Sequence, residues 1–294
     1  MKITGTELHH FAIFDSVVRN SGFSAAQAEL GLSQPTISNH ITALEERLGV
    51  RLCQRGRGGF VLTEEGRIVH ELGQSLLGEL ESHGSKLAAL RGGLVGRVRL
   101  AVVDCLATDP HFRLPDAVRG FRALAPAVQV ELTVERPQDI LSGIHDNSFD
   151  IGIGGFDRLL SGLEHKVLYH ERHSLYCGRA HPLFEAGEVA EAELGAHPWV
   201  HRRYWSKRRQ RRRSLSESDA FVQEIEAQII MVLSGTYLGL LPDHAAAAHV
   251  ARGELRALPF QGPDGDVTID VVTRSGPQPE AVELLRAEVL ARHA

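Results

Sequence analysis

The segment from Ser33 to Gly49 reads SQPTISNHITALEERLG, and it constrains the fold more than any other stretch of the chain. Ser33 is a residue type that begins helices, because its hydroxyl can accept a hydrogen bond from an amide of the first turn. Pro35 falls within that turn, where a missing N–H has no cost. Apolar residues then recur at helical spacing. They are Ile37, Ile41, Leu44 and Leu48. The opposite side carries short polar groups, so the pattern predicts a capped helix with one buried face and one closely approachable face.

The residues around this helix predict a small DNA-binding fold. A helical stripe begins at Leu8 and closes at the sequence Asn20-Ser21-Gly22. A second short helix over residues 24–31 then leads through a glycine turn into the capped helix, which is the layout of a helix-turn-helix motif. After Gly49, two short strands enclose a glycine-rich tip with Arg55 and Arg57. Such a tip is typical of a wing, whose arginines suit phosphates or a minor groove.

The run AAQAELGLSQPTISNHITALEERLGVRLCQRGRGGFVLTEEG resembles the winged helix-turn-helix of LysR-type transcriptional regulators. One departure is Cys53, where the family usually has phenylalanine, and we expect weaker packing beneath the wing. The resemblance implies DNA contacts by the following residues. They are Ser33, Gln34, Pro35, Thr36, Ser38, Asn39, His40, Arg55 and Arg57.

Side-chain chemistry assigns some of these contacts. Asn39 can pair with an adenine edge, whereas Ser38 and Thr36 suit phosphates or several bases. Glu45 and Glu46 would repel phosphate, so we expect the helix to approach DNA with its N-terminal end first. His40 has two interpretations, a DNA contact or a solvated side chain. A capped amphipathic helix alone is more typical of simple packing, so the wing and the contiguous resemblance are what favour DNA binding.

The stretch from Glu64 to about Leu90 predicts one long helix with a single apolar seam. The seam residues repeat at intervals of three and four. They are Leu72, Leu76, Leu80, His83, Leu87 and Leu90. One seam cannot bury itself, and in LysR-type regulators the corresponding helix pairs two subunits. The alternative is a helix packed on its own domain. Glycines at positions 73, 78 and 84 favour a bent or frayed helix.

Beyond Gly96, short β-rich runs alternate with helical ones, which predicts an α/β sheet. Strands are expected at 98–104, 128–135, 150–155, 175–183 and 266–273, with a helix from Thr108-Asp109-Pro110 to Leu124. The region resembles the two-lobed, periplasmic-binding-protein-like effector domain of the LysR family. The predicted fold class is therefore α/β multi-domain, with a winged helix-turn-helix at residues 1–65, a linker and dimerisation helix at 66–92, and an effector-binding domain at 93–294. Lobe one would span 96–168 and 269–294, and lobe two 169–268.

Ligands of such sheets bind beyond the carboxyl ends of strands, here between the lobes. Carried over from the family, the effector-binding candidates follow the predicted strands. They are Asp104, Cys105, Thr108, Glu135, His201, Arg202 and Tyr204. Many family members hold a Ser or Thr where this chain has Asp104 and Cys105. Asp104 disfavours an acidic ligand, whereas amides at a helix start at Asp109 would favour one, so the sequence leaves the charge of the effector open.

Residues 202–213, RRYWSKRRQRRR, concentrate positive charge in a chain whose formal net charge is −5. The run Lys207–Arg213 is open to several interpretations: a solvated face, an extra nucleic-acid contact, a site for an acidic protein, or part of the cleft mouth. The chain has 43% hydrophobic residues and no apolar run long enough for a bilayer. Three widely spaced cysteines fit a reducing compartment. A cytoplasmic location without membrane contact is therefore expected.

Enzyme motifs are absent from the sequence: there is no GxSxG, no phosphate-binding GxxxxGK[ST] and no cysteine-pair zinc spacing. We therefore expect no catalytic residue, no metal site and no cofactor other than a small-molecule effector. The expected partners are an inverted-repeat operator in double-stranded DNA, the chain itself as a dimer of dimers, and RNA polymerase. Two alternatives remain: a cytosolic small-molecule-binding protein with a dimerising N-terminal domain, and a redox-sensing regulator that uses Cys105. The sequence does not distinguish an activator from a repressor or name target genes.

Overall fold

A computed structural model divides the chain into two compact units, residues 1–93 with 146–148 and residues 94–145 with 149–294. The structure describes residues 2–56, 59–89, 94–158, 160–187, 189–203, 219–259 and 266–294. Among the described helices, none combines the length and apolar character needed to cross a membrane. The predicted domain boundaries at 65/66 and 92/93, and the lobe boundaries, stay predictions.

The first unit has the predicted order of three helices, a wing and a long helix. The helices are α1 (Gly5–Arg19), α2 (Phe23–Leu30) and α3 (Gln34–Leu48), the wing is β1 (Cys53–Gly56) with β2 (Gly59–Leu62), and α4 spans Glu64–Ala89. Helix α2 ends because Gly31 adopts a left-handed conformation with φ of 64°, which glycine takes without strain. This residue therefore makes the tight turn into α3.

The core of the first unit uses the predicted apolar face of α3. Ile37, Ile41 and Leu44 are at most 1% exposed, and they pack with Phe11 and Phe14 of α1. Each such side chain contributes about 1.5–3 kcal/mol by its burial. The opposite face of α3 is consequently left free of core packing.

Helix α4 has two different apolar faces. Val69, Leu76 and Leu77 pack against the core of the first unit. By contrast, Ile68, Leu72 and Leu80 are 50%, 65% and 44% exposed. The predicted seam is therefore split, since Leu76 packs within its own unit and Leu72 and Leu80 do not. The side chain of Leu87, and Leu90 itself, lie outside the described residues.

The first sheet of the second unit has the strand order β6-β11-β5-β3-β4. Its strands are β3 (Gly96–Val102), β4 (Val128–Val134), β5 (Ile151–Gly154), β6 (Leu163–Gly178) and β11 (Asp266–Arg274). Strand β3 pairs in parallel with both β4 and β5. Helices α5 (Leu114–Leu124), α6 (Pro137–His145) and α10 (Glu280–His293) flank this sheet and share its core. The carboxyl ends of the parallel strands therefore open at one edge.

Strand β6 continues into a second group of strands. Its first half pairs with β11, and its last residues pair with β9 (Gly239–Pro242) and β10 (Leu255–Leu258). Strands β7 (Val200–Arg202) and β8 (Ala220–Val222) form a further parallel pair. The described helices of this part are α7 (Glu191–Leu194), α8 (Ile225–Leu233) and α9 (Asp243–Ala251). The prediction of a strand only at 175–183 was wrong, because pairing with β11 extends β6 back to Leu163 and the strand ends at Gly178.

The predicted helix start at Asp109 was also wrong. A short 3-10 turn covers Leu106–Thr108, and α5 begins only at Leu114. Asp109 is extended, with φ of −80° and ψ of 118°, because the following Pro110 disfavours the helical conformation of its predecessor. The Asp109 side chain accepts a hydrogen bond from the His111 amide at 2.8 Å instead. The α-helix amides that were expected to favour an anionic ligand at Asp109 are therefore not there.

Candidate nucleic-acid interface and effector cleft

The N-terminal end of α3 has the predicted cap. Ser33 Oγ accepts from the Thr36 amide at 3.3 Å and lies 2.8 Å from the Thr36 hydroxyl. Ser33, Gln34 and Pro35 are exposed, and Thr36 is half-buried. The first turn of α3 therefore presents small polar groups at a positively polarised helix end, which suits contact with phosphate.

Further along α3, Asn39 is exposed, and Ser38 and His40 are half-buried on either side of it. Asn39 lies on the face opposite Ile37 and Ile41, and Ser38 and His40 lie on the flanks of that face. The structure thus brings the predicted contacts on α3 together on one accessible surface. An asparagine amide at such a position can donate to and accept from one adenine edge.

Glu45 does not face outward as a repulsive charge, and that expectation was wrong. Its side chain is 8% exposed, and its Oε1 accepts from the Leu52 amide at 2.8 Å. Arg51 donates to Oε2 at 3.1 Å. Glu45 therefore holds the chain that enters the wing against α3, while Glu46 is exposed.

His40 belongs to a group of three histidines that sequence reasoning missed. Its ring lies 5.2 Å from the rings of both His9 and His10. Burial lowers the pKa of His10, and the charges of His40 and His9 lower it further. The pair His9-His10 on α1 was visible in the sequence, but only the packing of α1 against α3 places it beside His40.

The wing is a two-stranded antiparallel ribbon in which Arg55 pairs with Phe60 and Gly56 with Gly59. Arg57 lies outside the described residues, as does the side chain of Arg55. Cys53 is half-buried against the core, and Phe60 packs edge-on against Phe23 at 5.9 Å. The predicted phosphate contacts of both arginines stay predictions.

A cleft of about 790 Å³ opens in the second unit beyond the ends of β3 and β4. Four of the predicted effector residues line it, namely Asp104, Cys105, Thr108 and Glu135. The remaining lining comes from the end of β4 and the residues after it, from α8 and the two residues before it, and from α9. Those residues are Val134, Arg136, Pro137, Gln223, Glu224, Glu226, Ile229 and Ala245.

Three predicted residues are not among the described side chains that line this cleft. Arg202 is 3% exposed and donates to His173 Nδ1 at 3.1 Å. His201 Nε2 lies 3.2 Å from Asp219 Oδ2. Tyr204 lies outside the described residues, together with the run Lys207–Arg213. The predicted effector contacts of His201 and Arg202 stay predictions, since both make contacts inside the second group of strands while the charge of Arg202 acts on Asp104 and Cys105.

Asp104 links the two sides of the cleft. Its Oδ2 accepts from the Ile225 amide at 2.6 Å, at the start of α8. Burial raises the pKa of Asp104, although this hydrogen bond acts in the opposite direction. The carboxylate caps a helix from across the cleft, and this role was not visible in the sequence because the two residues are far apart in the chain.

Cys105 has the strained geometry often found at functional sites. Its φ is 67°, a left-handed conformation that non-glycine residues rarely adopt. Burial raises the pKa of its thiol, and the Asp104 charge adds to that effect. Burial also raises the pKa of Cys177 to about 11. Because the thiolate is the reactive form, these environments disfavour oxidation at neutral pH.

Beneath the cleft lies a buried cluster of Asp109, Glu171, His173 and His244. His244 Nε2 is 3.0 Å from Glu171 Oε1 and 3.7 Å from Asp109 Oδ2. His173 Nε2 is 2.5 Å from Glu171 Oε2. Burial opposes ionisation of Glu171, but the two histidine contacts outweigh it and lower its pKa to about 2. Sequence reasoning missed this cluster because three separate elements supply it.

The two units together define a class of protein: a DNA-binding winged helix-turn-helix joined to a two-part ligand-binding domain. Residues 8–67 match the family model for the bacterial regulatory helix-turn-helix protein, lysR family. Residues 91–294 match the model for the LysR substrate binding domain. The chain therefore belongs to the LysR family and is a DNA-binding transcriptional regulator whose substrate-binding domain takes small-molecule effectors.

Individual relatives agree with this assignment. The chain is 35% identical over 285 residues to the HTH-type transcriptional activator BauR of Pseudomonas aeruginosa, covering 96% of this chain and 93% of BauR. Its fold is similar to the crystal structure of CbnR, a LysR family transcriptional regulator, with a TM-score of 0.67, 21% identity and coverage of 98% and 99% of the two chains. CbnR complexed with its target DNA gives a TM-score of 0.65, also at 21% identity, with coverage of 97% of this chain and 99% of that one.

Proposed function

We propose that α3 reads an inverted-repeat operator and that the wing anchors the protein to the backbone. The observation that carries this proposal is the exposed polar face of α3 beside its Ser33 cap. Gln34 and Asn39 have side chains suited to base edges, whereas Ser33, Thr36 and Ser38 suit phosphates. Arg55 and Arg57 supply contacts that do not depend on sequence.

The exposed apolar face of α4 supports self-association through a second copy of the chain. Ile68, Leu72 and Leu80 are large, apolar and exposed in sequence spacing that repeats along one helix. Pairing two such helices buries surface that one copy leaves in water. We infer a dimer through α4 and a dimer of dimers on DNA, acting in the cytoplasm with RNA polymerase as a further partner.

The cleft residues favour an effector with a positively charged group. Asp104, Glu135, Glu224 and Glu226 all line the cleft. Arg136 also lines it, but its guanidinium lies 2.5 Å from Asp139 and donates to Gln223 at 2.9 Å. Carboxylates therefore outnumber cations among the described residues that line the cleft, and a cationic ligand gains the larger electrostatic stabilisation.

An effector can change transcription only if it binds one arrangement of the protein more tightly than another. Asp104 and Arg136 both contact residues at the start of α8, at Ile225 and Gln223. A ligand among these groups competes with or reinforces those contacts. We propose that the effector changes the opening of the cleft and thereby the spacing of the DNA-binding units.

Selection from a randomised DNA library tests the proposed DNA contacts. The purified protein should enrich duplexes with two inverted half-sites, and the Asn39→Ala variant should enrich a motif with one degenerate position. Enrichment of an identical motif by both proteins would contradict the role of Asn39.

A thermal-shift comparison of small molecules tests the proposed effector charge. Aliphatic amines and carboxylates of matched length are the probes, and Glu224→Gln and Glu226→Gln are the variants. At least one amine should raise the melting temperature of the wild-type protein and raise it less in the variants. Stabilisation by carboxylates alone would overturn the charge assignment without affecting the proposed operator binding.

A further inference from the structure

The buried cluster beneath the cleft brings together three metal-binding side chains from three elements. Asp109 follows the 3-10 turn after β3, Glu171 lies on β6 and His244 lies in the first turn of α9. Their side chains are 2%, 6% and 9% exposed. One ligand atom from each lies within 4.8 Å of the other two. Burying two carboxylates together costs free energy unless a cation lies beside them.

In each carboxylate, one oxygen contacts a residue other than the three ligands, and the second oxygen faces the other two ligands. Asp109 Oδ1 accepts from the His111 amide at 2.8 Å, whereas its buried Oδ2 has no hydrogen-bond partner in the described part of the chain. Glu171 Oε2 contacts His173 at 2.5 Å, and Oε1 faces His244. Ligands of metal ions are commonly oriented by outer contacts of this kind.

The hydrogen bonds of His173 indicate which of its ring nitrogens carries the proton. The guanidinium of Arg202 donates to His173 Nδ1 at 3.1 Å, because arginine has no acceptor. His173 Nε2 therefore carries the proton that it shares with Glu171. His173 acts as a neutral donor that orients Glu171, and it supplies no lone pair to the cluster.

The position of the proton on His244 depends on its contact with Thr108. Thr108 Oγ1 lies 3.0 Å from the Cys105 carbonyl oxygen and 2.8 Å from His244 Nδ1. When the hydroxyl donates to the carbonyl, its oxygen accepts from a protonated Nδ1. With the proton on Nδ1, a neutral His244 turns the lone pair of Nε2 toward Glu171 and Asp109. In that tautomer three electron-rich atoms face one another, and a cation between them stabilises the arrangement.

The Tyr169 phenol beside Asp109 does not provide that charge. A phenol is neutral or anionic, so its hydroxyl can offer Asp109 a hydrogen but no positive charge. Arg202 donates to His173 Nδ1, and its charge also acts on Asp104 and Cys105. A second proton on His244 or a bound metal ion would each place a positive charge among the three atoms.

We propose that Asp109, Glu171 and His244 bind a divalent transition-metal ion of the zinc class. One imidazole nitrogen and two carboxylate oxygens are ligands that Zn²⁺ accepts, and three protein ligands leave one coordination position open. Thr108 and Ala245, the neighbours of these ligands, line the cleft. The site is separate from the DNA interface, and it would tie β6, α9 and the loop after β3 together beneath the cleft.

Metal titration of the full-length, chelator-treated protein tests the proposal. Zn²⁺ is titrated against a chromophoric chelator, and Co²⁺ is added separately to follow its visible absorption. We expect one saturable equivalent per chain at this site. Asp109→Asn and His244→Gln should each weaken that equivalent by about 100-fold or more and remove the corresponding Co²⁺ absorption, because each removes a ligand. Thr108→Ala should weaken it by about 10-fold, because it removes an outer contact.

Two control variants separate this site from other histidines. His249→Gln alters a histidine on the same helix, whose ring contacts Glu254 at 2.8 Å, and should leave the affinity unchanged. His40→Gln would remove only an equivalent bound by the histidine group of the first unit. Absence of saturable binding, or equal affinity in wild type, Thr108→Ala and His244→Gln, would overturn the proposal and assign the positive charge to a proton on His244. Thr108 is exposed, so its variant tests the site even where a buried substitution prevents folding.

Discussion

At the scale of single residues, α3 separates the residues that hold the fold from those free to read DNA. Ile37 and Ile41 are buried, Glu45 is fully engaged with the chain entering the wing, and Asn39 is exposed. Substitutions on the two faces should therefore have different consequences. Buried positions should affect stability, and exposed positions should affect recognition.

Asn39→Ala and Arg55→Ala should change DNA binding in different ways. Loss of the Asn39 amide should weaken the free energy of binding to the preferred site by about 1–3 kcal/mol. The loss should be much smaller on a site altered at the base that Asn39 contacts. Loss of Arg55 should weaken all sequences alike and reduce the salt dependence of binding. Fluorescence anisotropy on matched duplexes at two salt concentrations measures both. Equal losses on every duplex for both variants would contradict the assignment.

His10 should make folding stability fall in mild acid. Burial, with the charges of His40 and His9, lowers its pKa below the ordinary 6.5. The unfolded chain therefore binds a proton before the folded chain does, and stability decreases as the pH falls through about 6.5. Urea unfolding at pH 7.5 and 5.5 measures the free energy of unfolding, which should decrease less between these two pH values for His10→Gln than for wild type. The exposed His145→Gln is the control, and an unchanged decrease in His10→Gln would refute the effect.

At the scale of elements, the first turn of α4 packs closely against the residue that precedes the wing. A Cβ atom at Gly66 would lie 1.9 Å from the backbone oxygen of Leu52. Backbone cannot move aside as a flexible side chain can, so this close approach requires glycine. The same helix contains Gly84, where a Cβ meets nothing within 4 Å.

Gly66→Ala and Gly84→Ala should consequently have opposite effects on stability. The first should destabilise the N-terminal unit by about 1–3 kcal/mol or more through overpacking. The second should leave stability unchanged or raise it by about 0.5–1 kcal/mol, because alanine favours helix more than glycine does. Chemical unfolding followed by circular dichroism checks both, and equal effects of the two variants would contradict the contact at Leu52.

The exposed face of α4 gives a prediction about assembly. Leu72→Glu and Leu80→Glu place charges where we propose a second copy to pack, and each should reduce the dimer affinity by at least about tenfold. The matched control is Val61→Glu, an exposed apolar residue of the wing ribbon. Analytical ultracentrifugation over a dilution series measures the dissociation. An unchanged oligomeric state in both α4 variants would place the dimer interface elsewhere.

Most features that depend on residues close together in the sequence were predicted, and features that depend on distant residues were not. The cap, turn and buried face of α3 were predicted because each depends on residues within about one helical turn. The full length of β6, the buried role of Glu45 and the late start of α5 were not, since pairing with β11, the Leu52 amide and the effect of Pro110 decide them. Four cleft residues were predicted, but the opposing wall at Glu224 and Glu226 was not.

At the scale of the whole molecule, the chain joins a DNA-binding unit to a ligand-binding unit. The LysR family assignment establishes that these two functions occur in one chain. The cleft connects elements on its two sides through Asp104 and Arg136. Regulation then requires that DNA binding and cleft occupancy depend on one another, by equal factors in both directions.

Sequence reading by α3 can be tested with genomic DNA. The purified, full-length protein is mixed with fragmented DNA from the source organism, and the fragments that it retains are sequenced. We predict enrichment of an inverted repeat beside a few genes, retained at moderate salt and lost in Asn39→Ala. Recovery without sequence preference that disappears at moderate salt would indicate phosphate attraction alone. That result would contradict sequence reading by α3.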